Sequence, residues 1–325
     1  MNIFLTGGAG YIGSATAEAL LKAGFNVTIY DSLVTGYRAA VPAGAEFIQA
    51  DLADKAALEA ALATQKFDAV MHFAAFIEAG ESMKDPGKFI QNNLVNSAGL
   101  IEAAHRAGVG RFVLSSTAAV YQSSEEPLSE ESPLAPTNTY GYTKLAVERI
   151  LEWYRSIHGL HFAALRYFNA SGALPGRGEA HQPESHLIPL VLQVPLGQRE
   201  HIGIFGNDYP TQDGTAIRDY IHVADLVSAH LLALDALSER DKLVYNIGTG
   251  TGYSVKEVIN AARAVTGHLI PAVETPRRPG DPARLVASSD KIQHELGWKA
   301  EHSSIENILK TAWKWHESHP NGWRE

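Results

Sequence analysis

The chain has 325 residues, a length typical of about two domains, and 45% of them are hydrophobic, as in an ordinary globular protein. Its formal net charge of −9 argues against nucleic acid as the main partner, and the absence of cysteine excludes disulfides and thiolate zinc sites. The chain opens on the strand-like NIFL and has no apolar run near the ~18 residues of a membrane span, so we expect neither a secretory signal nor a membrane partner. These features predict a cytoplasmic protein.

Strand-like and helix-like segments alternate along the chain. Short β-branched or aromatic runs predict strands at NIFL, NVTIY, EFIQA, DAVMHFA, RFVLSS, HFAALRYFN and LVYNIG, with helices such as ATAEALLKAG and KAALEAALATQ between them. This alternation favours an α/β fold of the Rossmann type, with a doubly wound parallel sheet. We expect residues 1–169 and about 219–247 to form this domain. Residues of about 170–218 and 248–325, with loops rich in proline and glycine, would form a smaller α/β domain.

The first predicted strand runs directly into a glycine-rich turn. Gly7, Gly10 and Gly13 match the pattern GxxGxxG, and Gly8, Gly10 and Gly13 match GxGxxG. Both patterns lie at the start of a predicted helix. Such glycines permit a tight turn, let the backbone approach a pyrophosphate and let the helix pack close to the sheet. Asp31, at the end of the second strand, is suited to bind ribose hydroxyls and would repel a 2′-phosphate. The pattern predicts NAD, rather than NADP, as the cofactor.

A tyrosine and a lysine in YGYTK are the candidate reactive groups. Tyr140 and Lys144 are four residues apart and share one face if this segment is helical. Thr117 follows the predicted strand RFVLSS, at the sheet edge where ligands of this fold bind. A tyrosine acts as a base when its pKa is lowered, which a neighbouring ammonium and a cationic nicotinamide favour. We therefore predict proton transfer by Tyr140.

Six segments carry a resemblance to known proteins: TGGAGYIG, SSTAAVY, YGYTK, LRYFNASGA, IFGNDYPTQDGTAIRDYIHVADL and RRPGDPAR. They resemble the UDP-glucose 4-epimerases, also called UDP-galactose 4-epimerases, of the extended short-chain dehydrogenase/reductase group. The resemblance runs nearly from end to end, and Ile204 to Leu226 is its most specific part. It implies an isomerase of galactose metabolism that epimerises C4 of a UDP-hexose through a 4-keto intermediate, with tightly bound NAD. It also implies a homodimer.

The resemblance implies roles for individual residues. Tyr140 would be the base, Lys144 would lower its pKa and hold the nicotinamide ribose, and Thr117 would hydrogen-bond the sugar 4-hydroxyl. The matching cofactor positions are Gly7, Gly10, Tyr11, Ile12, Gly13, Asp31, Ser32, Asp51, Leu52, Phe73, Ala74, Asn93, Tyr140, Lys144 and Tyr167. The matching substrate positions are Thr117, Tyr140, Asn169, Leu187, Phe205, Arg218, Arg278, Asp281 and Leu285. The first domain would bind NAD and the second the UDP-sugar.

Some positions depart from the pattern of this family. Ile77 stands where some members carry a lysine near the substrate, and His186 stands where several have asparagine. Ala118 and Ala119 replace the acidic residues of related nucleotide-sugar dehydratases, which argues against a dehydratase. Leu285 stands where relatives have a tyrosine that fills space beside the sugar C2 substituent. The smaller side chain predicts that UDP-N-acetylhexosamines are accepted as well.

Other interpretations stay open from the sequence. The substrate could be UDP-N-acetylglucosamine, UDP-xylose or UDP-glucuronate, or the chain could be a net NAD-dependent sugar dehydrogenase or a non-catalytic NAD-sensing protein. Arg218 could form an ion pair with Asp219 or Asp225 instead of binding a diphosphate. The 14 histidines include no HExxH or similar spacing, so we predict no metal site.

Overall fold

The computed structural model describes residues 1–278 and 281–323. Contacts between residues divide it into two compact units. The first comprises Met1–Gln122, Pro133–Arg166 and Val227–Tyr245, and the second comprises Ser123–Ser132, Tyr167–Leu226 and the chain from Asn246 onward. Residues 123–132 and 219–226 therefore lie in the second unit, as do 167–169 and 246–247 at the boundaries, whereas the sequence analysis assigned all of them to the first domain.

The strands in chain order are β1 (Asn2–Thr6), β2 (Asn26–Asp31), β3 (Glu46–Gln49), β4 (Ala69–His72), β5 (Arg111–Thr117), β6 (His161–Tyr167), β7 (Asn169–Ser171), β8 (Ile202–Phe205), β9 (Ile217–His222), β10 (Lys242–Ile247), β11 (Gly252–Ser254), β12 (Ala272–Thr275) and β13 (Arg284–Leu285). The helices are α1 (Tyr11–Lys22), α2 (Lys55–Leu62), α3 (Ala79–Ser82), α4 (Pro86–Phe89), α5 (Asn96–Arg106), α6 (Thr139–His158), α7 (Leu187–Leu192), α8 (Val223–Ala236), α9 (Val255–Thr266), α10 (Asp290–Leu296) and α11 (Ile305–Ser318). Within the described residues, none of the helices has the length and apolar character that a membrane crossing requires.

The first unit is built on a seven-stranded sheet. Its order is β10-β6-β5-β4-β1-β2-β3, and the neighbours from β3 to β5 are parallel. The chain order reverses beside β1, because β2 and β3 lie on one side of it and β4 and β5 on the other. Doubly wound sheets bind ligands at the carboxyl ends of the strands that flank such a reversal. The predicted fold class is confirmed, and the candidate site lies at the ends of β1, β4 and β5.

Helices pack on this sheet through a continuous apolar core. Phe4, Val70, Phe112 and Phe162 come from four of the strands, and each is 1% exposed or less. Residues of α2, α5 and α6 belong to the same cluster. Burial of each such side chain contributes about 1.5–3 kcal/mol, so the strand ends project from a firmly packed base.

The second unit contains two small sheets. In one, β9 pairs with β7, β11 and β13, and in the other β8 pairs with β12. Asp219 on β9 is fully buried and accepts hydrogen bonds from the N–H groups of Thr249 and Ala287. Leu128 forms an isolated bridge with Ala287. The pairing of β9 and of Leu128 explains why residues 123–132 and 219–226 belong to this unit.

Candidate active site

The glycine turn after β1 is dictated by close backbone packing. Gly7 has a left-handed φ of +75°, and a Cβ atom there would lie 2.5 Å from the nitrogen of Ala74. A Cβ atom on Gly13 would lie 2.1 Å from the carbonyl oxygen of Gly7. Gly10 is the N-cap of α1 and provides no side-chain cap. The N-terminus of α1 therefore presents backbone N–H groups and the positive end of the helix dipole, which suits a phosphate.

Asp31 fastens this turn to the end of β2. Its Oδ2 atom accepts a hydrogen bond from the N–H of Ala9 (2.9 Å), and its Oδ1 atom accepts one from Leu33 (2.8 Å). The side chain is mostly buried, and burial raises its pKa although both backbone hydrogen bonds oppose this effect. Each carboxylate oxygen keeps a lone pair for another donor. The turn and this carboxylate fit the pyrophosphate and the ribose hydroxyls of a dinucleotide.

The other predicted cofactor positions differ in what their side chains do. Asn93 is buried, and its amide binds the N–H and the carbonyl of Phe76, so it supports the loop after β4. Asp51 accepts a hydrogen bond from the N–H of Ala53. Tyr167 is buried and belongs to the second unit. The remaining positions lie in the first turn of α1 or past the carboxyl ends of strands: Tyr11, Ile12, Ser32, Leu52, Phe73 and Ala74.

The three predicted reactive residues come together in the first unit. The side chain of Thr117, at the end of β5, lies beside that of Tyr140, in the first turn of α6, where it favours the phenolate. Lys144 lies one turn further along α6, where its Nζ atom donates to the carbonyl oxygen of Ser115 (2.8 Å). The N–H of Tyr140 donates to Oγ of Ser82 (3.1 Å). The predicted i, i+4 arrangement on a helix is therefore what the structure contains.

Burial controls the protonation of both reactive side chains. It raises the pKa of Tyr140 to about 12, against the opposing hydrogen bond from Thr117. It lowers the pKa of Lys144 to about 8, against the opposing charge of Glu148. In the protein alone the pKa of Tyr140 is raised, because loss of water and the negative charge of Glu78 outweigh the opposing contribution of Thr117. Tyr140 needs a further positive charge to become a base at neutral pH.

In the second unit, Arg218 forms an ion pair with Asp281. The Nη2 atom lies 2.9 Å from Oδ1 of Asp281, and Nη1 donates to the carbonyl oxygen of Ile217 (2.8 Å). The alternative pairing with Asp219 is not formed, because that carboxylate accepts other hydrogen bonds. Leu285 on β13 is the register partner of Arg218 on β9. Three of the predicted substrate positions are therefore neighbours.

The other predicted substrate positions in this unit are partly accessible. Arg278 stacks its guanidinium over the ring of Phe205, 4.1 Å from the centroid. The Nδ2 atom of Asn169 donates to the carbonyl oxygen of Asp219 (2.8 Å). Leu187 is half-buried and is the first residue of α7. Arg218 and Arg278 are each cationic and at least partly exposed, which suits the binding of a phosphorylated ligand.

The sequence analysis missed a cluster of histidine and glutamate before α7. His181, Glu184 and His186 each place a ligand atom within 4.8 Å of the others. Glu179 contacts Nδ1 of His186 at 2.7 Å, and this contact is the largest cause that raises the pKa of His186 to about 11. The spacing HxxExH is visible in the sequence, but it falls in an irregular segment and differs from the helical HExxH pattern.

Comparison with known proteins places the chain in a family. The model of the NAD dependent epimerase/dehydratase family matches residues 3–248. The chain belongs to this family. A UDP-glucose 4-epimerase of Lacticaseibacillus casei is 49% identical over 326 residues, which cover 99% of this chain and 98% of the relative. A crystal structure of a UDP-glucose 4-epimerase has a TM-score of 0.97 and 48% identity, with 100% of both chains covered. The UDP-Glc/GlcNAc 4-epimerase of Campylobacter jejuni has a TM-score of 0.86 and 40% identity, with 98% of this chain and 99% of that chain covered.

This NAD dependent epimerase/dehydratase family takes its name from its cofactor, and the cofactor prediction is confirmed. The glycine turn and Asp31 are the groups that would hold the dinucleotide, by the fit described above. Thr117 lies at the same edge of the sheet, at the end of β5 two strands away from β1, and Tyr140 and Lys144 are carried by α6, which packs on β5. NAD supplies a hydride acceptor and a positive charge when it is bound.

We expect Asp31→Ala to weaken NAD binding and to reduce the preference against NADP. Loss of hydrogen bonds to a charged group costs about 1.5–3 kcal/mol, which corresponds to a loss of affinity of roughly 10- to 100-fold. Asp68→Ala is the matched control, because Asp68 also accepts a backbone hydrogen bond, from Asn2 at 2.7 Å, at the start of β1. Calorimetric titration of both NAD-free variants measures the difference. Equal affinity of the Asp31 variant and the parent would remove this residue from the cofactor site.

Proposed function

We propose that the protein interconverts UDP-galactose and UDP-glucose by reversible oxidation at C4 of the sugar. The observation that carries this proposal is the placement of Tyr140 beside Thr117, with the Lys144 ammonium on the next turn of the same helix. The relatives reported above, named as UDP-glucose 4-epimerases over nearly their full length, support the same reaction.

In this reaction, residues of the first unit transfer the proton. Tyr140 takes the proton of the 4-hydroxyl and later returns it, and Thr117 holds the oxygen atoms in line. NAD held by the glycine turn and Asp31 would supply the acceptor for the hydride of C4, and the hydride would return to the other face of the sugar. Because the same electron pair leaves and returns, the net redox change is zero. Because no net oxidation occurs, we expect the cofactor to stay bound to the protein between the two steps.

The proton transfer requires a large change in the pKa of Tyr140. A fall from about 12 to about 7 corresponds to roughly 7 kcal/mol of differential stabilisation of the phenolate. Lys144, with a pKa of about 8, carries its proton at neutral pH and supplies one positive charge. The nicotinamide charge would add a second in a site with little water. Cofactor binding and activation of the base are therefore coupled.

The residues around this pair argue against the alternative reactions. Ala118 and Ala119 follow Thr117 in a 3₁₀ turn and offer no acid or base for the elimination of water. A net dehydrogenase would release reduced cofactor into solution at each turnover. A protein that only senses NAD would have no need of a buried tyrosine and lysine, each of which costs free energy to desolvate.

We expect the purified protein to convert UDP-galactose into UDP-glucose without added NAD, and Tyr140→Phe to lower kcat by about 10²- to 10⁴-fold. The loss reflects the missing proton acceptor, because the phenyl ring keeps the packing. Tyr142→Phe is the matched control on the same helix, since Tyr142 is 55% exposed. Coupled detection of UDP-glucose measures both variants. Near-normal turnover by the Tyr140 variant, or accumulation of free reduced cofactor, would contradict the mechanism.

We further propose that the enzyme accepts UDP-N-acetylglucosamine and UDP-N-acetylgalactosamine. Leu285 is in register with Arg218, and partners in register project to the same face of the paired strands. Leucine leaves more room there than the tyrosine of some relatives. The dual name of the Campylobacter jejuni relative shows that one protein of this family combines both substrates.

Leu285→Tyr is expected to suppress activity on the N-acetylated sugars much more than activity on UDP-galactose. Exclusion of a whole acetamido group exceeds the 1–3 kcal/mol of a single methylene, so the ratio of kcat/KM values falls by more than about 10-fold. Leu285→Met, which nearly conserves volume, is the control and keeps the parent ratio. An unchanged ratio in the tyrosine variant would show that Leu285 does not limit the pocket.

We also propose that two chains associate as a homodimer through α6 and the π-helical segment Ile90–Val95. Trp153 and Ile157 on α6 are 66% and 65% exposed, and Val95 is 45% exposed. The segment packs against α6, so these side chains belong to one region of the first unit. Apolar surface of this kind is typical of two-fold interfaces.

Light scattering at micromolar concentration is expected to give twice the mass of one 35.1 kDa chain. Trp153→Glu places a charge at the centre of the exposed apolar surface and is expected to shift the mass toward that of one chain. Leu269→Glu is the control, because Leu269 is 91% exposed in the second unit. A parent protein with the mass of one chain would contradict the dimer.

A cytoplasmic location completes the proposal. It is supported by the cysteine-free composition, which suits a reducing compartment. Fractionation of cells that express the chain measures it directly, and recovery with the periplasmic or secreted fraction would contradict it.

A further inference from the structure

We propose that His181, Glu184 and His186 form a binding site for Zn²⁺ in the second unit. Their ligand atoms lie within 4.8 Å of one another, a spacing from which one ion can reach all three. The three residues span only six positions, in the irregular segment that leads directly into α7. The inference is tested separately from the proposed epimerase reaction, although the family resemblance places His186 where several members have an asparagine beside the substrate.

The charges around His186 favour a cation. Oε1 of Glu179 and Oε1 of Glu184 lie 2.7 and 3.0 Å from the same Nδ1 atom of His186. This nitrogen carries at most one hydrogen, so it cannot donate a full hydrogen bond to both carboxylates. The side chains of both glutamates are only 9% exposed. Oε1 of Glu184 also accepts hydrogen bonds from the N–H groups of Ser185 and His186 (2.7 Å each), which compensate part of its charge. A divalent ion would compensate the remaining negative charge directly.

The donor set selects the class of metal. Two imidazoles and one carboxylate match the ligands of zinc sites that keep a fourth position for water. Calcium and magnesium prefer oxygen ligands alone, so they are poor candidates here. Glu179 is then a positioning residue, because a carboxylate against the ring of a ligating histidine fixes its orientation.

The segment that carries these residues is anchored on α11. The Nε1 atom of Trp315 donates to the carbonyl oxygen of Glu179 (3.0 Å). A Cβ atom on Gly178 would lie 2.2 Å from the Trp315 ring, so the backbone packs flat against the indole. One end of the segment is thus held by packing. A bound Zn²⁺ would hold the other end, next to Leu187 at the start of α7.

Calorimetric titration with ZnCl₂ tests the proposal on the full-length protein, after dialysis against a chelator and with its cofactor retained. We expect one Zn²⁺ per chain, and affinity at least ~100-fold lower in His181→Ala and in the nearly isosteric Glu184→Gln. His201→Ala is the matched control, because this histidine is exposed and lies outside the cluster. MgCl₂ is the probe for a merely electrostatic site and is expected to give no saturable binding.

Thermal unfolding gives a second measurement. Zn²⁺ is expected to raise the Tm of the parent and of His201→Ala, and to leave the Tm of His181→Ala and Glu184→Gln unchanged. Metal-free circular dichroism establishes that each variant is folded. The proposal is overturned if the parent binds no Zn²⁺, if both cluster variants bind it as the parent does, or if Mg²⁺ binds equally well. UDP-galactose conversion, measured in parallel, separates this outcome from a failure of the proposed reaction.

Discussion

The close approach of α6 to the carboxyl end of β5 is the constraint on which the reactive groups depend. A Cβ atom on Gly141 would lie 2.2 Å from the carbonyl oxygen of Ala119, so only glycine permits this distance. Two turns further along, Glu148 pairs with Arg166 of β6 at 2.6 Å, and both side chains are about 5% exposed. Removal of one partner of such a buried pair costs about 3–5 kcal/mol. The helix is thereby fixed at its start and two turns later, with Lys144 between the two contacts.

The same approach has an electrostatic consequence. It takes Tyr140 and Lys144 out of water, which disfavours both the phenolate and the ammonium. The pKa values of the two side chains therefore move apart, to about 12 and about 8. A positive charge brought in by the cofactor favours the phenolate in this dry site far more than it would in water. In the proposed mechanism, Tyr140 would therefore be a weak base in the protein alone and a stronger base when the cofactor is bound.

The sequence predicted those features that local backbone geometry determines. The glycine turn, the alternation of strands and helices, and the i, i+4 placement of Tyr140 and Lys144 follow from spacing and residue type. The partner of Arg218 could not be predicted in this way, because Asp281 is 63 residues distant in the chain. The raised pKa of Tyr140 depends on burial, which arises only when α6 packs on β5. The cluster of His181, Glu184 and His186 could not be predicted, because its segment is irregular. Without a helical or strand period, the sequence does not indicate which side chains lie on the same side.

Arginine has a specific advantage at the two cationic positions of the second unit. The guanidinium of Arg218 uses two of its five donors on Asp281 and the Ile217 carbonyl, which fixes its plane and leaves three donors for a ligand. Arg278 stacks through its face on Phe205, so its edge keeps its N–H donors available. A lysine would lose its orientation in the first case and its stacking in the second. The two contacts therefore hold planar, bidentate donors ready for the diphosphate of the proposed substrate.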